Sequence, residues 1–383
     1  MKAKNLFFVA LILGVCCCSS KNDGTVSIVD VGSNKMAVFS LDNLNPKMVT
    51  IPLSRLVENC SLTQLESDED AYIHPWFTTI TEKYIGVRQQ EGRSYMLFDR
   101  SGKFLCKVGA RGQGPGEYPL PPYDDIIDEK NGLIYLSPFS GNKIFVYDIS
   151  GKFLRNIVAP VDLAKAKIFL DDNVLTIVHM AFEGTKSMVI QLDVNTGKVL
   201  KELPPPTHFF VSNFDGEIFN TRNVSGIFDF LHTNSDTLYQ YDMKSNNILP
   251  IFTMTYSSSD KVYKQYWLLN NHMILTNIFG RGFVATDLKS MTSSYITIVN
   301  DFYGNLPMPA TFRNGYFVLN IQPEQLMDDV EKHLAGGSCT EKDKQALKEL
   351  LSNLEEGANN VVLAGKLKYD TTVNKENPMI IIR

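Results

Sequence analysis

The sequence predicts an all-β fold, a six-bladed β-propeller with a two-helix insertion in its last blade. Three observations support this prediction: a repeated strand–turn–strand pattern, called the cadence, the period of that pattern and one interruption of it. In the cadence, an alternating strand ends in Asp, a polar turn follows, and a second apolar strand begins. Successive Asp residues are 49, 45, 49 and 45 positions apart, and this period is typical of blades built from four short strands. These residues are Asp99, Asp148, Asp193, Asp242 and Asp287.

The interruption falls in the sixth unit, where residues 323–354 change from strand to helix periodicity. Within it, Thr340 and Asp343 have the spacing of a capping box that opens a second helix. The next Asp of the cadence, Asp370, follows Asp287 by 83 positions. Subtracting a helical insert of roughly 35 residues leaves about one blade period, so the sequence predicts six units.

Residues 1–17 predict a lipoprotein signal peptide. A basic start, with Lys2 and Lys4, precedes ten apolar residues at 6–15, a stretch too short to span a bilayer. The apolar stretch ends in cysteines and leads into a Ser-rich segment. That arrangement resembles a bacterial lipobox, in which the thiol is acylated and becomes the new N-terminus.

Cys18 is the predicted lipidation site, because Val15 occupies the aliphatic position three before it and the compact Cys17 precedes it. Cys16 suits the pattern less well, since a β-branched Val stands directly before it. The alternative is a soluble secreted protein cut near Ser20. With lipidation, several acyl chains would hold the exported protein at a membrane of the cell envelope.

The rest of the chain divides into a polar tether at 18–46 and the propeller at 47–383. A ring of blades must close, because an open last blade would expose an unpaired sheet edge. Residues 61–65 are the favoured outer strand of the last blade, which would pair the start of the chain with its end. Residues 378–382 are also strand-like and remain the alternative.

Composition excludes some classes of partner and site. A formal net charge of −5 argues against a nucleic-acid surface. Past the N-terminal cluster, Cys60, Cys106 and Cys339 are scattered and show neither metal-site spacing nor a disulfide framework. The sequence therefore predicts no cofactor, apart from the calcium alternative given below.

The turn before the second unit carries a family resemblance. Residues 109–118 read Gly-Ala-Arg-Gly-Gln-Gly-Pro-Gly-Glu-Tyr, and strands at 132–136 and 142–148 follow. Together they resemble an NHL-type propeller repeat, although Ser137-Pro138 stands where that repeat has Asp. With the lipobox and the helix pair, nearly the whole mature chain is similar to the secreted six-bladed β-propeller lipoproteins of Bacteroidetes. The resemblance implies the fold and the anchor but no particular activity.

One face of the predicted ring collects the residues best suited to bind a ligand. In a propeller, the loops from strand b to strand c and from strand d to the next blade open on the same face. Aromatic side chains beside Arg, His and Asn are typical of carbohydrate and peptide sites. The helical insert also joins a strand b to a strand c, so we expect it over this face. The candidate ligand-binding residues are Arg93, Arg111, Glu117, Phe139, Asn142, Phe182, His232, Phe279 and Arg281.

The Gly-rich turn has two possible roles. Glu117 or Tyr118 could pin the crossover between two blades, or Arg111 and Glu117 could reach a ligand at the channel mouth. A phosphate-binding loop is excluded, because Pro115 and Pro119 prevent the helix that such a loop requires.

The leading hypothesis is a binding or scaffold propeller that presents one loop face to a glycan, a peptide or a partner protein. The alternative is a calcium-dependent hydrolase of the lactonase kind, with its site in the central channel. Asp124 and Asn213 are weak candidate metal ligands for that alternative, because carboxylate and amide oxygens suit calcium. Whether the protein is an enzyme stays open at this point.

Overall fold

The computed structural model describes residues 24–224, 226–269 and 272–368. Six antiparallel sheets are arranged around a central axis, each with a four-stranded core. The first strands of neighbouring blades contact one another along the axis. The prediction of an all-β, six-bladed propeller with two helices is therefore confirmed.

The strands within each blade follow the order predicted from the cadence, from strand a at the axis to strand d at the rim. Blades one to three contain Pro75–Ile80, Tyr84–Gln89, Tyr95–Asp99 and Phe104–Val108; Pro122–Asp128, Leu133–Pro138, Ser140–Asp148 and Phe153–Ala164; Lys167–Asp171, Val174–Val178, Val189–Asp193 and Val199–Leu203. Blades four to six contain Ile218–Val224, Ile227–His232, Thr237–Asp242 and Asn247–Thr255; Lys264–Leu268, Met273–Ile278, Gly282–Asp287 and Thr292–Asn300; Phe312–Arg313, Tyr316–Ile321, Val361–Lys366 and Ser61–Gln64.

The last blade is closed by the N-terminal segment. Ser61–Gln64 pairs antiparallel with Val361–Lys366, so that Ser61 lies opposite Ala364 and Gln64 opposite Val361. The favoured closure is confirmed, and the alternative strand at 378–382 lies outside the described residues. This pairing satisfies the backbone N–H and C=O groups at the sheet edge that an open ring would expose.

The structure differs from the predicted polar tether at 18–46. Val26–Val31 and Asn34–Ser40 form a hairpin, and the second of these strands pairs in parallel with the outer strand of blade four. The hairpin forms because Val26 and Phe39 are apolar and bury their side chains completely or nearly so. Met48–Pro52 extends blade five in the same parallel way. The N-terminal segment is therefore part of the folded ring.

The helical insert packs at the rim of blades five and six. Helix α1 spans Pro323–Ala335 and helix α2 spans Glu341–Ser352, and the predicted capping box of Thr340 and Asp343 is present. The apolar faces of both helices are buried with the chain at 53–57 and 306–312. The insert therefore joins the core of these two blades.

The repeated Asp of the cadence shapes the turn between strands c and d. Asp148 accepts hydrogen bonds from the backbone N–H groups of Ser150 and Lys152 and from the Ser150 hydroxyl. Asp99 makes the same three bonds with Ser101 and Lys103. A side chain that accepts from the backbone two residues on is a standard turn former. These turns line one face, called the lower face; the b–c loops and the crossovers between blades form the upper face.

Candidate functional site

Aromatic side chains form a continuous row on the upper face. The ring centroids of Trp76 and Tyr123 are 6.0 Å apart, and those of Tyr123 and Phe139 are 5.7 Å apart. Phe214 follows at 6.0 Å from Phe139 and lies 4.6 Å from Phe182. Trp76 and Phe214 are 40% and 48% exposed. This aromatic row offers flat apolar surface to solvent, as aromatic binding platforms do.

The Lys165 ammonium contacts Phe139 and Phe214 in the middle of the aromatic row. Its ammonium donates to the carbonyl oxygens of Phe214 and Gly216 and to Glu217 Oε1, at 2.6, 2.9 and 2.6 Å. It also lies 5.4 Å from the centre of the Phe139 ring. All three donors of the ammonium are used, so Lys165 fixes the segment 214–217 and is a positioning residue.

The segment 214–217 separates the aromatic row from an adjoining cleft. This upper cleft has a volume of about 250 Å³. Hydroxyl, amide, carboxylate and ammonium groups lie there beside two exposed aromatic rings. Its principal lining residues are Glu217, Thr233, Asn234, Lys261, Tyr263 and Phe279. A small cleft with apolar walls and several hydrogen-bonding groups has the properties of a binding site for a polar ligand.

The charge of the upper cleft depends on Glu217. Burial raises the pKa of its carboxyl group to about 7. The Lys165 ammonium 2.6 Å away opposes that rise, because a cation at this distance favours the ionised carboxylate. Burial also lowers the pKa of Lys165. Lys165 and Glu217 thus form a partly buried ion pair in which each residue favours the charged form of the other.

His232 was predicted to contact ligand, but the structure places it beneath the cleft. Its side chain is fully buried, and its Nδ1 accepts a hydrogen bond from the Asn234 backbone N–H at 3.3 Å. Burial lowers the pKa of His232 to about 4, so the ring is neutral at neutral pH. The residue was selected for its chemistry, yet its position makes it a support for the 233–235 loop.

Three other predicted residues lie on the upper face as expected. Phe139 and Phe182 belong to the aromatic row, and Phe279 lines the upper cleft with 49% exposure. Arg281 is exposed and follows in the same turn, where its backbone N–H donates to the Ile278 carbonyl. The structure thus brings three of the nine candidates to the row and the cleft, and places Arg281 beside them.

Arg93 and Arg111 lie on the blade-one side of the face. The Arg93 guanidinium is 3.6 Å from Glu91. The Arg111 side chain lies over the b–c loop of blade one, the loop that contains Glu91 and Gly92. A Cβ added at Gly92 would lie 3.1 Å from Arg111 Cδ. Neither residue lines the upper cleft.

Glu117 pins the Gly-rich turn. Its Oε2 accepts from the Gly114 backbone N–H at 2.8 Å, and a Cβ at Gly112 would meet the same oxygen at 2.0 Å. Tyr118 is buried and accepts from the Tyr95 backbone N–H at 3.1 Å. Asn142 lines a second cleft of about 580 Å³ beneath this turn. The pinning role is therefore the one that the geometry supports.

The two weak metal candidates have other partners. Asp124 lies 2.7 Å from Arg313, 3.8 Å from Arg88 and 3.9 Å from Lys167. Burial alone would raise the pKa of its carboxyl group, but these three cations hold it below its usual range. Asn213 is exposed and donates to Asp215 at 2.6 Å. Among the described residues, no group of three or more His, Cys, Asp or Glu could hold a metal ion, so these side chains do not fit a calcium site.

The helical insert packs against the upper-face crossover between blades five and six, away from the upper cleft and the aromatic row. No residue of α1 or α2 lines the upper cleft or joins the aromatic row within the described part of the chain. Instead, Leu326 and Val330 of α1 and Leu347 of α2 are buried in the core of blades five and six. Amphipathic helices go where their apolar face finds a core, and the loop topology alone did not specify that place.

Sequence reasoning missed five residues of this surface, and for some of them a signal existed. Trp76 begins strand a of blade one, where side chains reach the channel mouth. Lys165 has a left-handed φ of 49° in a turn between two strands, a conformation that single-sequence patterns do not reveal. The crossover that supplies Phe214 and Glu217 is long, and long loops carry function more often than short ones. The missed residues are Trp76, Tyr123, Lys165, Phe214 and Glu217.

Comparisons with known proteins identify a family and a fold. The model of a family described as a domain of unknown function (DUF4934) matches residues 36–366. A Bacteroides fragilis protein described as exported has a similar crystal structure, with 13% identity and a TM-score of 0.58 over 86% of this chain and 99% of that chain. A DUF4221-family structure from Bacteroides vulgatus shares 12% identity, with a TM-score of 0.44 over 82% of this chain and 98% of that one.

The identities are too low to transfer more than the propeller fold. A search of curated proteins found no match. Within the described residues, no helix is long and apolar enough to cross a membrane.

Proposed function

We propose that this chain, which belongs to the DUF4934 family, is an exported, lipid-anchored propeller that binds a glycan in its upper cleft. The observation that carries the proposal is the junction of the aromatic row with the cleft. Sugar rings present apolar faces and many hydroxyl groups, so they require flat aromatic surface beside hydrogen-bonding groups. The upper cleft and its row supply both within one face.

The groups in the cleft suit a neutral or weakly charged sugar. Glu217 accepts hydrogen bonds, Lys261 donates them, and Thr233 and Asn234 can do both. Tyr263 and Phe279 are 60% and 49% exposed at its edge, as stacking partners must be. A peptide or partner protein remains an outcome of the test below.

A glycan array tests this proposal with the chain that begins at Ser19. The wild-type protein should bind a defined set of glycans, and Phe279→Ala should weaken that binding about tenfold or more, because buried aromatic contacts dominate such interfaces. Leu154→Ala is the matched control, since Leu154 is 45% exposed at the rim of blade two.

Two outcomes would contradict the glycan assignment. One is the absence of any array hit alongside a peptide library that binds and depends on Phe279. The other is glycan binding that Phe279→Ala and Leu154→Ala weaken equally, since the cleft would then play no specific part.

The proposed anchor is Cys18, which lies outside the described residues. Eight positions separate it from Val26, where the hairpin on blade four begins. A chain of that length reaches roughly 30 Å at full extension, so the rim of blade four would lie close to the membrane. Labelling with an alkynyl fatty acid should mark the wild type and Cys16→Ala but leave Cys18→Ala unlabelled. Label that persists in Cys18→Ala would place the anchor elsewhere.

No specific observation favours the calcium-dependent hydrolase. Its candidate ligand Asp124 is surrounded by cations, which repel a divalent metal ion. Calcium-dependent stabilisation that is lost in Asp124→Asn would return that alternative to consideration.

A further inference from the structure

A cavity with apolar walls and an acidic rim opens on the lower face of the ring. This lower cavity has a volume of about 410 Å³ and lies between blades one, two, three and six. Ile126 and Ile168 are among the side chains of its walls. The charged residues that line it are all carboxylates: Glu82, Asp128 and Glu129. Both its size and its mostly apolar walls are typical of small-molecule sites.

The direction of the strands gives the lower cavity an inner and an outer end. Strand b of each blade ends in an upper-face loop, so the antiparallel strand a before it runs from the upper face to the lower face. Thr79 therefore lies deeper in the cavity than Glu82, which follows it in blade one. Ile126 lies deeper than Glu129 in blade two for the same reason. The apolar walls thus lie inside, and the carboxylates form the outer rim.

The rim carboxylates of blades one and two converge. Glu129 Oε1 accepts a hydrogen bond at 2.6 Å from the backbone N–H of Lys83, which directly follows Glu82. Glu82 already pairs with the Lys366 ammonium at 2.5 Å. Within the described part of the chain, neither Asp128 nor Glu129 has an ion-pair partner, and their hydrogen bonds come from uncharged groups. The rim therefore keeps a negative charge that attracts a cation.

An unpaired hydroxyl group lies deeper in the lower cavity. Thr79 lines the cavity, its side chain is buried with 2% exposure, and its Oγ1 has no hydrogen-bond partner among the residues that the structure describes. The preceding residue differs, because Thr78 Oγ1 accepts from Asn320 Nδ2 at 2.9 Å. A buried hydroxyl without a partner is unfavourable. The polar end of a bound molecule would supply the partner that Thr79 lacks.

We propose that the lower cavity binds a linear aliphatic amine that carries a hydroxyl group at its far end. The ammonium lies at the carboxylates of Asp128 and Glu129, the hydrocarbon chain packs against Ile126 and Ile168, and the hydroxyl reaches Thr79. The acidic rim selects a cation over an organic acid, and the aliphatic walls select a hydrocarbon chain. This site lies on the opposite face from the upper cleft, so it is independent of the proposed glycan function.

Calorimetric titration of the full chain with ω-aminohexanol, hexylamine and hexanoate tests this proposal at pH 7, where both amines are cations. We expect saturable binding of both amines that weakens as salt is added, and no binding of hexanoate. The hydroxyl should make ω-aminohexanol bind about fivefold more tightly than hexylamine. The double variant Asp128→Asn, Glu129→Gln should weaken both amines about tenfold. Asp242→Asn is the control, because blade four contributes no residue to the cavity.

The variants separate binding from folding. Asn and Gln keep an oxygen that accepts the backbone hydrogen bonds of the rim, so the double variant should retain its Tm without ligand. Thr79→Val should also retain its Tm, since no hydrogen bond is lost, but should abolish the fivefold preference for ω-aminohexanol.

Three results would overturn the site. They are the absence of binding by both amines, hexanoate binding as tight as that of hexylamine, and amine binding that the double variant leaves undiminished. A preference for ω-aminohexanol that persists in Thr79→Val would overturn the placement of the hydroxyl, and with it the proposed ligand.

Discussion

The lower face of the ring repeats one kind of turn, whereas the upper face changes from blade to blade. On the lower face, Asp99 and Asp148 make the same hydrogen bonds, and Asp193 and Asp242 make close variants of them. On the upper face, the crossover after strand d has two residues between blades two and three and fourteen between blades three and four. Uniform turns stabilise blades, while variable loops provide a surface that can evolve a ligand.

The two faces also differ in how their charged side chains are arranged. Carboxylates on the lower face accept hydrogen bonds from their own turns and are half-buried. On the upper face, Lys165 and Glu217 form a partly buried pair, and His232 is buried without charge. We therefore expect changes on the lower face to alter stability modestly and changes on the upper face to alter stability and binding together.

The largest effect should come from opening the ring, on which both faces depend. Removal of residues 1–70 deletes the closing strand Ser61–Gln64 and the strands added to blades four and five. We expect loss of the cooperative unfolding transition in urea, followed by circular dichroism. Removal of 371–383, outside the described residues, is the matched control and should change the midpoint little. A cooperative transition near the wild-type midpoint in the first variant would contradict closure by this strand.

Next in size is the Lys165→Met variant on the upper face. It leaves Glu217 without its cation, which should cost about 2 kcal/mol of unfolding free energy, since the Glu217 side chain is 34% exposed and solvent screens part of the lost attraction, and it frees the segment 214–217. The double variant Lys165→Met, Glu217→Gln should recover most of that stability, because no unpaired charge remains, but should not recover glycan binding. Measured urea midpoints that fall equally in both variants would show that the ion pair is not the cause.

The response to acid should distinguish the two faces. Burial depresses the pKa of His232 from 6.5 to about 4, so its contribution to stability is present above pH 6.5 and is lost as the pH falls toward 4. Linkage gives roughly 3 kcal/mol for that shift. Hydrogen bonds from Ser150 and Lys152 hold the pKa of Asp148 below 3.8, so its contribution is lost only at lower pH.

Urea unfolding between pH 7 and 4 measures this difference. His232→Gln should reduce the loss of stability in that window, while Asp148→Asn should leave it unchanged. Identical pH profiles for the wild type and His232→Gln would assign the acid response to other groups, such as the buried His179.

The smallest effect is expected from a single lower-face turn. Asp148→Ala removes three hydrogen bonds from an exposed turn and should lower the unfolding free energy by about 1 kcal/mol. Asp148→Asn keeps an acceptor and should lose less. Glycan binding should be the same in both variants, and a binding defect would show that the two faces are coupled.

The sequence specified the lower face better than the upper one, for a physical reason. The Asp turns depend on contacts within five residues, so they leave a repeated pattern. The aromatic row depends on residues from five separate segments, such as Trp76, Phe139 and Phe214, which no local pattern connects. The hairpin Val26–Val31 and Asn34–Ser40 had a local signal, two alternating runs around Gly32-Ser33, but its place on blade four depends on contacts more than 200 positions away.

The N-terminal strands also fix the order in which the protein can complete its fold. Ala37 pairs with Phe252, Met48 with Tyr295 and Ser61 with Ala364. The strands that are synthesised first therefore cannot pair until the later blades have been synthesised. Contacts this distant in sequence slow folding, and unpaired apolar strands favour aggregation in the meantime. Blades one to three can form from contiguous chain. Blades four and five gain additional strands from the N-terminal segment, and blade six gains its strand d from it. The N-terminal strands of the nascent protein therefore stay unpaired until their partners are made, near residue 255 for the first pairing, near residue 299 for the second and near residue 364 for ring closure.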